Sequence, residues 1–258
     1  LRSLKEINSD LCSNTKMFRL LQGDVGSGKT IVSLISAFNT INSGFQVALM
    51  APTEILARQH FNLAKKIFDK NIIINLISGK SDYKEKKNIL GKLSLHKIDI
   101  IFGTHAIFQK KVTFENLGLI IIDEQHKFGV NQRKKLSDKG GNDCDVLLMT
   151  ATPIPRTLTM TIYGDMDLSI IKEKPATRKP IKTYSKLEAK IDDVLIFIKK
   201  QIELNNQVFW VCPLIEESKK VDHTSAVKKF EYLSKAFPNN VALLHGKTSI
   251  EDKEVILN

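Results

Sequence analysis

The feature that most constrains this chain is a glycine-rich stretch, GDVGSGKT, at residues 23–30. It fits the pattern G-x-x-x-x-G-K-[ST] without a mismatch, and it lies between an apolar segment and a helical pattern. In that setting glycines let backbone N–H groups turn toward phosphate oxygens at the start of a helix. The sequence therefore predicts a strand, a phosphate-binding loop and a helix, in that order.

The loop also predicts which residues surround a bound nucleotide. We expect the Lys29 ammonium to reach the β- and γ-phosphates, and the Thr30 hydroxyl to ligate Mg²⁺. The other residues of the loop would enclose the phosphate groups, and these are Gly23, Asp24, Val25, Gly26, Ser27 and Gly28.

Around the loop, apolar segments alternate with helical patterns, which predicts an α/β fold with a parallel sheet. The segments are continuous apolar runs, as expected for parallel strands that are buried on both faces. The predicted strands are 19–23, 46–51, 72–77, 98–103, 117–123 and 145–151. The predicted helices are 29–42, 54–69, 82–94, 131–138 and 155–163.

This alternation is interrupted at KEKPATRKP, residues 172–180, which contains two prolines and no large apolar side chain. Such composition is typical of a linker. We therefore predict one α/β domain at 1–171 and the N-terminal, truncated part of a second at 181–258. In the second, strands are expected at 181–185, 207–212 and 241–246 and helices at 188–204 and 223–236, with Phe209 and Trp210 in the core.

Charge and composition limit the class of partner. Lys and Arg number 39 against 28 Asp and Glu, a net charge of +11, which favours a polyanion such as nucleic acid. A lysine-rich surface that serves solubility alone explains the charge equally well. The apolar runs are shorter than the roughly 18 residues that a membrane span needs, so no membrane association is expected. The three cysteines are too far apart for a C-x-x-C site and indicate a reducing compartment.

A second motif, LIIIDEQH, supplies the acidic partner of the phosphate loop. It is an apolar strand that ends in Asp123 and Glu124. At the carboxyl end of a parallel strand, Asp123 would hold Mg²⁺ and Glu124 would polarise the attacking water. Two adjacent acids at a strand end can also be a solvated turn. An N-K-x-D guanine-binding motif is absent from the sequence, so we predict an ATPase of the helicase and translocase type rather than a GTPase.

Five segments occur in the order of the superfamily 2 helicase motifs, and together they resemble the RecG family of bacterial branch-migration helicases. The segments are GDVGSGKT, APTEILARQH (51–60), GTHAIFQ (103–109), DEQHKFGV (123–130) and TATPIPRTL (150–158). The resemblance continues at VFWVCPLIEES (208–218) and LLHGK (243–247). The transcription-repair coupling translocases share the first and last of the five segments and are the alternative family.

The resemblance implies roles for individual residues at the DNA side of the domain. Thr53 and Gln59 would face nucleic acid, although Thr53 is also a suitable helix cap. Gly103, Thr104 and His105 would form a similar DNA-side turn, although a lone histidine is more often structural. Gln125 would sense the γ-phosphate. His126, Thr150 and Thr152 would connect the γ-phosphate site to the DNA face, although a Thr-Ala-Thr turn can be a simple strand end.

For the whole chain, the resemblance implies two RecA-like domains, the second truncated, that use ATP and Mg²⁺. It implies a DNA helicase or translocase that acts on forks and Holliday junctions in recombination and repair, as a monomer in the bacterial cytoplasm. Related helicases carry an N-terminal wedge domain and, beyond the position of Asn258, an arginine finger. We therefore expect this chain alone to bind ATP but to hydrolyse it poorly. A non-catalytic remnant of a split gene is the other hypothesis.

Overall fold

The computed structural model of the protein describes residues 2–77, 83–109, 111–124, 144–152, 166–173, 180–212, 226–246 and 248–257. The chain divides into two compact units, residues 1–179 and 180–258. The division falls within the segment 172–180, of which residues 174–179 lie outside the described part.

The first unit alternates helices with strands, as parallel α/β folds do. Its strands are β1 (Phe18–Gly23), β2 (Gln46–Met50), β3 (Ile74–Ile77), β4 (Ile100–Gly103), β5 (Leu117–Ile122), β6 (Asp145–Thr150) and β7 (Asp167–Ile171). Its helices are α1 (Arg2–Leu11), α2 (Lys29–Asn42), α3 (Glu54–Ile67) and α4 (Tyr83–Leu93), with a 3₁₀ turn at His105–Phe108. In the second unit the helices are α5 (Ile191–Glu203), α6 (Ala226–Ala236) and α7 (Ile250–Leu257), and a 3₁₀ turn lies at Glu188–Lys190. None of these helices, over the part of the chain that the structure describes, is long and apolar enough to cross a membrane.

The seven strands of the first unit form one sheet in the order β3-β4-β2-β5-β6-β1-β7, and every pairing is parallel. Successive residues of a buried strand point to opposite faces, so each strand contributes to two apolar layers. In β5, Ile121 belongs to the cluster that contains Leu34 of α2 and Ala64 of α3. The preceding Ile120 belongs to the cluster on the other face, with Leu20 and others. The predicted parallel α/β fold is therefore confirmed.

A buried glutamine fixes the amino-terminal edge of this sheet. The Gln46 amide nitrogen donates to the carbonyls of Leu93 and Ile98, at 2.9 and 2.8 Å. Its amide oxygen accepts from the backbone N–H groups of Glu115 and Asn116, at 3.0 and 3.1 Å. Both ends of a fully buried polar side chain are thus satisfied, which avoids the cost of an unpaired amide. The contacts hold the starts of β4 and β5 beside β2.

A second polar cluster attaches helix α1 to strands β1 and β7. The Arg19 side chain is only 10% exposed, and its Nε lies 2.6 Å from an Asp10 carboxylate oxygen. Its Nη1 donates to the Ser169 hydroxyl at 2.9 Å, and that hydroxyl donates in turn to Glu6 at 2.5 Å. The Asp167 carboxylate lies 3.7 Å from Nη2. One buried guanidinium therefore connects three elements of the first unit.

The six strands predicted for the first unit are present, and each begins and ends within two residues of its predicted limits. The predicted helices at 29–42, 54–69 and 82–94 are likewise confirmed, while those at 131–138 and 155–163 lie outside the described residues. Two elements were not predicted, namely α1 and β7. Helix α1 is polar apart from its buried Ile7 face, and in β7 only Ser169 is buried, so neither shows a clear apolar pattern.

In the second unit, the helices predicted at 188–204 and 223–236 correspond to α5 and α6. The strands predicted at 181–185, 207–212 and 241–246 are wrong, because these described residues have no strand conformation. The prediction of Phe209 as a core residue is also wrong, since this side chain is 73% exposed. An apolar run becomes a strand only when a neighbouring strand pairs with its backbone, and no described residue of this unit does so.

Candidate nucleotide and nucleic-acid site

Those predicted site residues of the first unit that the structure describes lie along one edge of the sheet. Because every pairing is parallel, the carboxyl ends of all the strands lie on the same side. Register places Gln22 opposite Thr150, and Met50 opposite both Gly103 and Ile122. The loops that follow β1, β2, β4, β5 and β6 therefore meet at this edge, where open α/β sheets bind their ligands.

The phosphate loop has the backbone that its glycines predict. Gly26 has a φ angle of 79° and Gly28 one of 93°, a left-handed conformation that side chains with a Cβ rarely adopt. Gly28 caps the first turn of α2, so that Lys29 and Thr30 open the helix. The first backbone N–H groups of a helix have no acceptor within it, and together with the helix dipole they favour an anion. The loop thus presents donors to a phosphate group.

Two features of the loop are compatible with a bound phosphate group, namely close packing at Gly23 and a buried Ser27 hydroxyl. A Cβ atom at Gly23 would lie 2.5 Å from the Ser27 hydroxyl and 3.2 Å from Cβ of Ile171, so the loop and β7 leave no room for a side chain there. The Ser27 hydroxyl oxygen is buried, yet among the described residues it has no hydrogen-bond partner. Buried hydroxyl groups without partners are rare, and a phosphate oxygen would satisfy this one.

Lys29 lies between the loop and the acidic strand end. Its Nζ donates to the backbone carbonyls of Gly23 and Asp24, at 2.8 and 3.0 Å. Burial lowers the pKa of Lys29 below its ordinary value, and the negative charges of Asp123, Glu124 and Asp24 act in the opposite direction. The structure therefore places the lysine of the loop within the electrostatic reach of both predicted acids.

The acid pair follows β5 directly, as the sequence predicts. Asp123 is 13% exposed, and its backbone N–H donates to the carbonyl of Met50 at 2.8 Å, which continues the pairing with β2. Glu124 has a φ angle of 49°, so the chain turns sharply there in the left-handed region. Its backbone N–H donates to Oδ1 of Asp123 at 3.0 Å. The turn therefore follows directly on the end of the strand.

Among the described residues, no group of three or more His, Cys, Asp or Glu side chains could hold a metal ion. Mg²⁺ that is bound together with a nucleotide usually takes one or two protein oxygens and completes its shell with phosphate and water. Thr30 and Asp123 are oxygen donors at the loop and the strand end. The available ligands therefore fit the predicted Mg-ATP.

The turn after β2 holds two of the residues predicted to face DNA. Thr53 is an exposed helix cap, and its hydroxyl accepts from the N–H of Leu56 at 3.3 Å. Gln59 is exposed on α3. The structure thus gives Thr53 the capping role that was one of its two interpretations, and contact with nucleic acid stays a prediction.

The turn after β4 brings Gly103, Thr104 and His105 to the same edge. A Cβ at Gly103 would lie 2.6 Å from the carbonyl oxygen of Ile77, so close packing between β4 and β3 explains this glycine. Thr104 precedes a 3₁₀ turn, and His105 is exposed. Thr104 and His105 are therefore accessible to a ligand, whereas Gly103 is buried.

The threonine turn after β6 also lies at this edge. Thr150 is fully buried, and its hydroxyl is 2.9 Å from that of Thr152. The Thr150 hydroxyl also accepts from the backbone N–H of Thr152, at 3.1 Å. The turn is thus held together by its own side chains, between the strand of the phosphate loop and the strand of the acid pair. Gln125 and His126 lie outside the described residues.

One residue of this site was not predicted. His60, on the buried face of α3, has its Nε2 atom 2.8 Å from Oδ2 of Asp123. The signal in the sequence was weak: His60 shares the helical spacing of the buried Ala57 and Ala64, and it is the polar member of that face. Only the fold shows that this face lies beside the end of β5.

A RecA-like sheet whose phosphate loop faces an acid pair defines a P-loop NTPase. Residues 5–161 match the DEAD/DEAH box helicases, and the chain belongs to that family. Its sequence is similar to the ATP-dependent DNA helicase RecG of Bacillus subtilis, with 48% identity over 99% of the chain. The RecG helicase of Thermotoga maritima is 44% identical, again over 99% of the chain.

Solved structures show the same relationship. The structure of RecG bound to a three-way DNA junction superposes with a TM-score of 0.77 and 38% identity, covering 99% of this chain and 33% of that one. S. cerevisiae Dbp5, at 18% identity, shares the fold with a TM-score of 0.65 and covers 99% of this chain and 66% of the other. The chain spans 38% of the length of the B. subtilis relative and 33% of that of the T. maritima relative.

Proposed function

We propose that this chain is the ATP-hydrolysing motor of a DNA helicase or translocase that acts on branched DNA. The observation that carries the proposal is that the phosphate loop after β1 and the acid pair after β5 lie at the same edge of one parallel sheet, which also holds the turns of Thr53 and His105. The likeness to RecG supports branched DNA as the substrate, because the relative of known structure is bound to a three-way junction.

In this proposal each side chain at the edge has a different role in ATP hydrolysis. Bound ATP with Mg²⁺ supplies the phosphoryl group whose transfer to water releases free energy. Lys29 and the loop N–H groups stabilise negative charge on the phosphates, and Thr30 and Asp123 hold the metal. Glu124 orients the attacking water and accepts its proton. Gln125 and His126 follow the acid pair in sequence, and we propose that they and the Thr150–Thr152 turn link hydrolysis to DNA contact.

The DNA side is proposed from exposed groups at the turns and from the charge of the chain. Thr53, Gln59, Thr104 and His105 can meet phosphate or sugar groups, and the buried Gly103 lets the last turn form. The net charge of +11 adds a contribution that is independent of DNA sequence. The finer proposals are that the protein acts on forks and Holliday junctions in recombination and repair, and that it works as a monomer in the bacterial cytoplasm.

The experiment that tests this function is an ATPase assay on the full-length protein with matched DNA substrates. A fork and a three-way junction should stimulate hydrolysis more than linear duplex or single-stranded DNA of the same length. Glu124→Gln should bind ATP and DNA but lose hydrolysis. Equal rates with and without every DNA, or a Glu124→Gln rate equal to that of the wild type, would contradict the proposal. Absence of hydrolysis above background with every DNA would favour the non-catalytic role.

A further inference from the structure

A hydrogen bond between α3 and the end of β5 links the two halves of the proposed site. His60 is 7% exposed, and its ring lies on the face of α3 that packs on the sheet. Its Nε2 atom is 2.8 Å from Oδ2 of Asp123, and the two side chains are 9% and 13% exposed. A charge-assisted hydrogen bond of this length between nearly buried groups is strong, because little water competes for either partner.

The bond completes the set of contacts that fixes the Asp123 carboxylate. Oδ1 accepts from the backbone N–H of Glu124 at 3.0 Å, while Oδ2 faces His60. The backbone of Asp123 is itself held by the carbonyl of Met50. With one partner on each oxygen, the carboxylate cannot rotate freely about its Cβ–Cγ bond. Groups that hold a metal ligand in this way set its direction and affinity.

The N-terminus of α3 carries a proposed DNA contact. Thr53 caps the helix, and the backbone N–H of Ala57 donates to the Thr53 carbonyl at 3.0 Å, so the cap is joined to the first turn. His60 lies seven residues further on, near the middle of α3, which is about 10 Å along a helix that rises roughly 1.5 Å per residue. Both residues belong to one continuous hydrogen-bonded helix, so we expect a displacement of its cap to displace His60 as well.

We propose that His60 is a positioning residue: from α3 it orients the Asp123 carboxylate, and through α3 it makes metal binding responsive to DNA at the Thr53 turn. The inference rests on the proposed function, since it needs ATP at one end of the contact and DNA at the other. The proposed role requires one hydrogen-bond donor on His60. The imidazole N–H holds Oδ2, which leaves the remaining lone pairs of the carboxylate directed to the metal or its water.

A buried histidine paired with a carboxylate can also serve stability alone, and three substitutions separate the two roles. His60→Gln keeps an N–H donor near the position of Nε2. His60→Asn carries the same amide on a side chain one carbon shorter, which does not reach Asp123, and His60→Leu removes the donor. His96→Asn is the matched control, because His96 precedes β4 at the opposite edge of the sheet and has a φ angle of 51° that asparagine tolerates.

The first measurement uses the full-length protein without DNA and follows nucleotide affinity as a function of Mg²⁺ concentration. In His60→Leu and His60→Asn, the Mg²⁺ concentration that gives half of the increase in nucleotide affinity should be about tenfold higher than in the wild type. This is the size of effect typical of lost support for a metal ligand. Affinity at saturating Mg²⁺ should stay within about twofold. His60→Gln and His96→Asn should resemble the wild type. A Mg²⁺ requirement equal to that of the wild type in both His60→Leu and His60→Asn would overturn the assignment.

The second measurement is the ratio of ATPase rates with and without saturating fork DNA, together with thermal unfolding of each variant. We expect this ratio to fall about tenfold in His60→Asn and to recover in His60→Gln. If both amides lose activity in proportion to a lower melting temperature, the role is structural and the inference is wrong. If the wild type shows no DNA stimulation, the proposed function fails instead, and the Mg²⁺ titration still decides the role of His60.

Discussion

Lys29 is the side chain at the phosphate loop whose removal should affect nucleotide affinity most. Its ammonium donates to the Gly23 and Asp24 carbonyls. Lys29→Ala should weaken Mg-ATP binding by about 10- to 100-fold, because hydrogen bonds to charged groups contribute about 1.5–3 kcal/mol. Isothermal titration calorimetry measures the change directly.

The matched control for this substitution is Lys65→Ala, which removes the same charge from an exposed position on α3. It should leave the affinity for Mg-ATP unchanged. Thermal unfolding of both variants separates a loss of affinity from a loss of folded protein, since Lys29 also donates to two loop carbonyls. Equal losses of affinity in the two variants would mean that general charge, rather than the loop, attracts the nucleotide.

The two acids of the strand end should be separable by their dependence on Mg²⁺. Asp123→Asn should raise the Mg²⁺ concentration needed for nucleotide binding, because an amide is a weaker ligand than a carboxylate. Glu124→Gln should leave that concentration unchanged and lower the hydrolysis rate by about 10²–10⁴-fold, the usual value of a general base. Identical behaviour of both variants in a Mg²⁺ titration would refute this division of roles.

At the scale of elements, the Arg19 cluster should determine how firmly α1 is attached to the sheet. Arg19→Met keeps the aliphatic length of the side chain but leaves Asp10 and Glu6 without their buried partner. Because those carboxylates are partly exposed, we expect a loss of about 2 kcal/mol of unfolding free energy, less than the loss for a fully buried pair. Urea denaturation followed by circular dichroism measures it.

Arg2→Met is the control for this element, because Arg2 also pairs with Glu6 but its side chain is 89% exposed. Exposed ion pairs contribute little to stability, so its urea midpoint should match that of the wild type. A similar shift of the urea midpoint in both variants would show that the charge of α1, and not the buried Arg19 guanidinium, causes the change in stability.

Strands that are buried along their whole length are the elements most directly predicted by the sequence. Strands β2 and β4 are buried at every position, and their apolar runs, such as VALM in β2, indicate this burial. Strand β7 and helix α1 depend on the Arg19 cluster, whose members lie far apart in the sequence. The strand predicted at 207–212 is wrong for the opposite reason. It is apolar, but among the described residues of its unit no strand pairs with it.

Prediction of the candidate site from the sequence has the same limit. The loop glycines and the acid pair are predictable because their spacing alone carries the chemistry, and the structure places them at one edge. His60 was not predictable, since its partner is 63 residues away and only the register of β2 with β5 brings α3 to Asp123. Gly103 was assigned to the DNA side from its motif, whereas its burial and its contact with Ile77 give it a packing role. DNA contact at that turn remains a prediction.

At the scale of the whole molecule, the first unit should function independently in nucleotide binding. All the described residues of the proposed nucleotide site lie within residues 1–179, together with the seven-stranded sheet and its apolar clusters. We expect a fragment of residues 1–179 to unfold cooperatively and to bind Mg-ATP within about threefold of the full chain, a difference of less than 1 kcal/mol. Calorimetry on both proteins provides the comparison.

A fragment of residues 180–258 is the complementary control. Its described residues contain helices but no paired strand, and Val208, Phe209 and Val211 are exposed. We expect a broad, weakly cooperative thermal transition, because a small set of helices with exposed apolar side chains buries little surface. Loss of Mg-ATP binding in the 1–179 fragment would show that the second unit completes the nucleotide site.

The ammonium of Lys29 is hydrogen-bonded to two carbonyls of the loop itself. In the proposed nucleotide site, a phosphate oxygen would compete with these carbonyls for the same cation. The gain from a phosphate contact would then be the difference between two sets of hydrogen bonds to one charge, and not the full value of a new hydrogen bond. The backbone of the loop would thus moderate how tightly the lysine holds a bound or a departing phosphate.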